Sequence, residues 1–147
     1  MGADQKPTNP KDVIGSGKLP LELVPDTLPA YAAIAFFEGA SKYGRFNWRV
    51  SGVRASIYRA ALQRHLAAWW NGEDFDPDTG VPHLASVAAC VAILIDAEAC
   101  GTLTDDRPPA APLGALHAEL ARFVPELRER FVDVQPHQYT IADTPGR

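Results

Sequence analysis

The feature that most constrains this chain is its longest apolar run, Leu84–Ile95, twelve residues interrupted only by Ser86 and ended by Asp96. A bilayer needs ~20 such residues, so the run is too short to span one and no membrane association is expected. It reads instead as a buried helix from about His83 to Ala99, with Gly101 placed to stop it. A helix that is apolar nearly all round must be enclosed by other elements. The 147 residues are enough chain to enclose it in one domain. Strand signals are almost absent, so the expected fold class is all-α.

The flanking segments supply the enclosing helices. Residues 1–29 read as an extended arm, because Pro7, Pro10, Pro20, Pro25 and Pro29 leave no room for a helix of ordinary length. An alanine-rich helix is expected over 30–43, with Pro29 at its start and Gly44 at its end. A loop follows over 45–52. A second helix is expected over about 56–70, with Ser56 as N-cap. Residues 71–82 are dense in turn formers, residues 104–112 read as a linker, and an amphipathic helix over 113–131 is expected to kink at Pro125. The chain divides on this reading into 1–110 and a C-terminal helix and tail, 111–147.

The formal charge of −4 argues against a partner that is a nucleic-acid polymer. That figure hides a partition. Between Ser41 and His65 stand six cations (Lys42, Arg45, Arg49, Arg54, Arg59, Arg64) and no carboxylate. Between Asn71 and Asp78 stand Glu73, Asp74, Asp76 and Asp78 and no cation. Arginine and lysine hold phosphate oxygens through charge-assisted hydrogen bonds, and carboxylates on a turn hold hard cations such as Mg²⁺. The pair of blocks suits a metal-complexed polyphosphate; the alternative is a solvated acidic loop beside an arginine-rich helix.

Several familiar motifs are excluded. Asp76–Gly80 begins like a calcium loop, but the position of the bidentate glutamate holds Val87. Gly15–Lys18 resembles part of a phosphate loop, but Asp12 and Leu19 occupy positions that require Gly and Ser or Thr. No nucleophile elbow, His-Asp dipeptide or CxxC pair is present. Cys90 and Cys100, on one helix, would lie ~15 Å apart, beyond disulfide reach, which fits a reducing cytoplasm. The polar, proline-containing N-terminus does not read as a signal peptide.

His65 and His83 bracket the acidic loop. Each alone reads as a satisfied structural histidine; antiparallel helices joined by that loop would bring both to one region. His117 and His137 fall outside it. Glu38 and Lys42 form an i, i+4 pair, either a surface ion pair or a metal-facing carboxylate beside a phosphate-facing ammonium. Trp69 and Trp70 read as packing residues, whereas Asn47 and Trp48, in a loop, are better placed to meet a base. Asp96 is either a partner-facing residue or a structural acceptor.

The strings NPKDVIGSGKLPLELVP, EGASKYGRFNWR, YRAALQRHLAAWWNGEDFDPDTGVPHLA and LIDAEACGTLTDDRP, in this order and spacing, resemble a phage and prophage family, dATP/dGTP diphosphohydrolase, N-terminal. That family is regarded as similar to the MazG-like all-α nucleoside triphosphate pyrophosphohydrolases. The resemblance covers about residues 8–109. It implies an enzyme that hydrolyses dATP or dGTP to monophosphate and pyrophosphate with Mg²⁺, or Mn²⁺ in its place, in a MazG-like helical dimer or tetramer. In a phage it would adjust nucleotide pools in the host cytoplasm.

Carried onto this chain, the expected metal ligands are Glu73, Asp76 and Asp78 with Glu38. His65 and His83 would ligate metal or relay a proton alongside Glu73. Lys18, Lys42, Arg45, Arg49 and Arg64 would hold phosphates, and Asn47 and Trp48 the base. Two departures stand out. The E-E-x-x-E and E-x-x-D ligand pattern of MazG-like enzymes is missing from the core helices; only Glu126 and Glu129, in the C-terminal helix, are spaced as ExxE. And where family members often carry a second histidine, this chain reads His83-Leu84-Ala85-Ser86. A nucleotide-binding protein that sequesters without hydrolysing is therefore the competing reading, and a ligand-free helical dimer a third.

Overall fold

A computed structural model of the chain describes residues 9–146. It is all-α: α1 (Pro10–Gly15), α2 (Thr27–Tyr43), α3 (Trp48–Ser51), α4 (Ala55–Trp70), α5 (His83–Ala99), α6 (Leu113–Ala121) and α7 (Phe123–Arg130). Two short strands, β1 (Val53–Arg54) and β2 (Leu103–Thr104), pair in parallel. Among the described residues no helix is long and apolar enough to cross a membrane.

The apolar run forms α5, and α5 packs against α4 on one side and α2 on the other. The contacts are made by small residues. Ala35 of α2 joins Ala85 and Ala89 of α5 and Val81 of the preceding loop in one buried cluster, with Phe36 against it. Ala85 is 0% exposed. Alanine at such positions lets helix backbones approach closely, and no large side chain among the described residues is fully buried.

Local chemistry sets the boundaries, and several differ from the sequence-based expectation. The arm holds two short helical pieces. Asn9 caps α1 by accepting the Lys11 N–H at 2.9 Å, with Pro10 in the first position where its missing N–H costs nothing. A 3-10 turn forms at Leu21–Leu23. Helix α2 begins at Thr27 rather than 30, because the first turn tolerates Pro29. The segment expected to be a loop contains the single turn α3 and leads into β1. Gly52 makes that passage possible. Its φ is 74°, and a Cβ there would stand 2.7 Å from the Thr102 carbonyl oxygen. Ladders of two residues are too short to leave an alternating pattern in sequence.

Ser56 is not the N-cap of α4. The helix begins at Ala55, and its end is capped from a distance: Asp106, in the linker, accepts the Ser56 N–H at 2.8 Å and the Ser56 hydroxyl. The expected helix over 113–131 is two helices that break at Arg122, three residues before Pro125. Proline clashes with the carbonyl four residues earlier and offers no N–H to it; that residue is Ala121, where α6 stops.

Every described residue from Thr104 onward is exposed, including Leu116, Leu120, Phe123, Leu127 and Phe131. The chain exposes 12452 Å², against about 7,400 Å² for a compact monomer of its mass.

The alanine contact yields a direct expectation. Ala85→Val adds volume where none is available and should destabilise the fold by ~1–3 kcal/mol, read as a lower denaturation midpoint. An unchanged midpoint would mean that α2 and α5 are not in close contact.

Candidate metal centre

The loop between α4 and α5 is a compact hairpin. Asn71 closes α4, its backbone N–H donating to the Ala67 carbonyl at 3.0 Å and its side chain donating to the same carbonyl at 2.8 Å. The Asp76 N–H donates to the Val81 carbonyl at 2.9 Å, and the Gly80 N–H returns to the Asp76 carbonyl at 2.7 Å. The Asp78 N–H donates to Asp76 Oδ1 at 2.9 Å, which turns the Asp76 carboxylate inward in an Asx turn. The His83 N–H donates to the Asp74 carbonyl at 3.0 Å, so the loop hands the chain directly into α5.

This geometry brings together the two histidines that bracket the loop. His65 Nδ1 and His83 Nδ1 are 2.8 Å apart. His83 is 4% exposed, the one buried polar side chain among the described residues. Its other ring nitrogen, Nε2, lies 2.7 Å from Glu73 Oε1. A carboxylate there makes Nε2 the protonated nitrogen and leaves the Nδ1 lone pair facing His65. Without a cation, His65 Nδ1–H donates to that lone pair. Asp76 completes the group: one ligand atom each from His65, Asp76 and His83 lies within 4.8 Å of the others. Three donors on one small triangle, one ring held from behind by a carboxylate, form an arrangement that can hold a divalent cation with positions left open.

The electrostatics agree with a shared neighbourhood. Burial, and then the nearby His83, push the His65 imidazole down from its ordinary value, while Asp76 and Glu38 act in the opposite sense. Lys42 is raised, first by its hydrogen bond with Glu38 and further by Asp76. Glu38 and Lys42 form an ion pair 2.5 Å long, and the charge of Arg64 also acts on His65.

Other residues singled out in the sequence stand apart. Glu73 orients His83 and is not in the converging group. Asp78 contributes a backbone N–H, and its side chain is exposed. Lys18 is exposed just beyond α1. Asn47 flanks α3, and Arg45 lines a shallow apolar cleft with Phe36, Phe37 and Phe46. Trp48 and Arg49 are engaged by Asp96: Trp48 Nε1 donates to Oδ2 at 2.6 Å, and Arg49 donates through Nε at 2.8 Å and Nη2 at 2.9 Å. Asp96 is thus a structural acceptor that ties α3 to α5, ~20 Å along the helix from His83. The sequence offered Asp76 and both histidines together with Glu73, Asp78 and Glu38; that Asp76 is the carboxylate that joins the rings was not legible in the spacing, because it depends on the hairpin fold of the loop.

A family model described as dATP/dGTP diphosphohydrolase, N-terminal, matches residues 8–107, which contain the whole triangle. A dATP/dGTP diphosphohydrolase of Salmonella phage PMBT28 is 29% identical over 120 residues, covering 82% of this chain and 37% of the relative. The chain thus spans little more than a third of that relative's length. No solved structure matches the chain.

The Asp96 contacts generate a pH expectation. Hydrogen bonds from Arg49 and then Trp48 lower the Asp96 carboxyl from 3.8 to about 2. A carboxyl lowered by folding contributes stability that is present above the unfolded value and is lost as pH falls through the folded value. Asp96→Asn should melt at a lower temperature than the parent at neutral pH, and the two curves should converge as pH approaches about 2. A gap independent of pH would contradict this.

Proposed function

The chain belongs to the dATP/dGTP diphosphohydrolase, N-terminal, family, and from that premise we propose that it hydrolyses purine deoxynucleoside triphosphates to monophosphate and pyrophosphate with a divalent cation. The observation that carries this reading is the convergence of His65, His83 and Asp76, on which the charges of Lys42 and Arg64 act. A cation bound there would polarise a phosphoryl oxygen and lower the pKa of water. The protein's own groups do the rest. Glu73 fixes the His83 ring. Lys42 has three N–H donors, so it keeps Glu38 and still reaches a phosphate oxygen. Arg64, next to His65 on α4, offers a second cation to the triphosphate. Water adds to the α-phosphorus as the α–β bridging bond breaks, and the electron pair leaves with pyrophosphate. Its product would adjust nucleotide pools, as befits a phage enzyme acting in a host cytoplasm.

The ligand count favours one second reading: with three convergent donors and Ser86 where family members often carry a second histidine, this chain is alternatively a protein that holds the nucleotide without hydrolysing it.

The working form is an oligomer of identical chains, a dimer or a tetramer. The support is the exposed apolar side chains, among them those on the apolar side of α6 and α7, which an obligate interface would cover.

Incubation with dATP or dGTP and a divalent cation, followed by chromatography, should yield monophosphate and pyrophosphate. Intact nucleotide recovered after denaturation would instead support the binding module, and neither binding nor turnover would end both readings. Lys42→Met should raise KM by about tenfold, the loss of one charge-assisted contact. Light scattering should return a multiple of 15.9 kDa; a monodisperse single chain would contradict the assembly.

A further inference from the structure

The donor atoms carry information about which cation the centre holds, a question that deepens the reading above and rests on its premise that a cation is bound. Mg²⁺ is a hard ion that takes oxygen ligands in a near-ideal octahedron and retains several waters. A site built for it gathers carboxylates. The acidic loop supplies carboxylates in number, yet the fold does not gather them. Glu73 is spent on His83 Nε2 at 2.7 Å. Asp78 enters the hairpin through its backbone N–H. Glu38 is paired with Lys42 at 2.5 Å. Among the described residues the one group of three or more convergent candidate ligands is His65, Asp76 and His83, and two of its three donors are imidazole nitrogens.

From this geometry we infer that the His65–Asp76–His83 triangle is a first-row transition-metal site that selects ions of the Zn²⁺, Co²⁺ and Fe²⁺ class over Mg²⁺. Imidazole suits these ions, whereas carboxylate, carbonyl and water ligands suit Mg²⁺. Two features show a built site rather than a chance cluster. The first is the burial of His83 at 4% exposure with its far nitrogen on a carboxylate, the arrangement that orients metal-bound histidines and raises their basicity. The second is the Asx turn at Asp76, in which Oδ1 accepts the Asp78 N–H at 2.9 Å, so that the carboxylate is held before any ion arrives. No thiolate takes part: Cys90 and Cys100 stand outside the group. Three protein ligands leave room for solvent or a phosphate oxygen, as in metal sites that do chemistry rather than hold a fold together.

The test uses the chelator-stripped full chain titrated with Co²⁺, whose visible d–d absorption reports coordination number and needs no substrate. A saturable band of four- or five-coordinate Co²⁺ is expected at one ion per chain, displaced by Zn²⁺ and unaffected by a large excess of Mg²⁺. His65→Ala and Asp76→Asn should abolish the band while leaving the helical circular dichroism intact. Glu73→Gln, which removes only the orienting carboxylate, should weaken Co²⁺ binding by about 10–100-fold without abolishing it. Absence of the band, displacement of Co²⁺ by Mg²⁺, or a band untouched by His65→Ala would each overturn the inference. Its fate is separable from that of the hydrolase reading. Co²⁺ bound with no turnover of dATP or dGTP leaves the metal site standing and removes the activity. Turnover with Mg²⁺ and no Co²⁺ band does the reverse.

Discussion

Two imidazole nitrogens 2.8 Å apart set the terms for the rest of this structure. At that distance both rings cannot be cationic, and both facing nitrogens cannot carry a proton. One proton lies between them, or the rings shift to share one metal ion at about 2.0–2.1 Å from each nitrogen. The contact also joins α4 to α5 at a defined register, because His65 lies in the third turn of one helix and His83 opens the other. The hairpin loop exists in the form that this register requires. Asp74 receives the first N–H of α5, Asp76 turns its carboxylate toward the rings, and Glu73 holds the far side of His83. Burial and the neighbouring ring disfavour a charge on His65.

The scaffold that supports this contact is unusual in what it buries. A core of alanines lets α2 lie close on α5. The same thin core leaves Tyr31, Ile34 and Phe37 of α2, Val91 and Ile95 of α5, and the apolar positions of α6 and α7 exposed. Apolar surface on this scale is removed from water in a stable protein. In the proposed oligomer this is the surface that the partner chains would cover. At the opposite end of α5, the Trp48–Arg49–Asp96 knot and the two-residue ladder at Gly52 fix the approach of α3 and the following strand, far from the histidines.

Much of the fold was legible in the sequence because helices announce themselves. The run Leu84–Ile95 identified α5, whose observed bounds, His83–Ala99, coincide with the expectation. Where expectation and structure part, the reason is an interaction distant in sequence. Ser56 looks like a cap, but the capping carboxylate is Asp106, fifty residues on. Val53 carries no strand signal, since its partner is Leu103. At the site, the right residue types were visible: two histidines bracketing a block of carboxylates. Their division of labour was not. Four acidic residues within eight positions look equivalent in a string, and only the hairpin hydrogen bonds separate Asp76, which faces the rings, from Glu73, which stands behind one of them, and from Asp78, which faces solvent.

Whether the triangle holds an ion can be measured directly. A crystal of the chain grown with Zn²⁺ or Co²⁺, with diffraction recorded at the metal absorption edge, locates the ion without reference to activity. The account expects one strong anomalous peak per chain, ~2.0–2.2 Å from His65 Nδ1, His83 Nδ1 and an Asp76 oxygen, with Glu73 remaining on His83 Nε2. A peak seated on carboxylates alone, or intact Nδ1–Nδ1 contact with no peak between the rings, would contradict it.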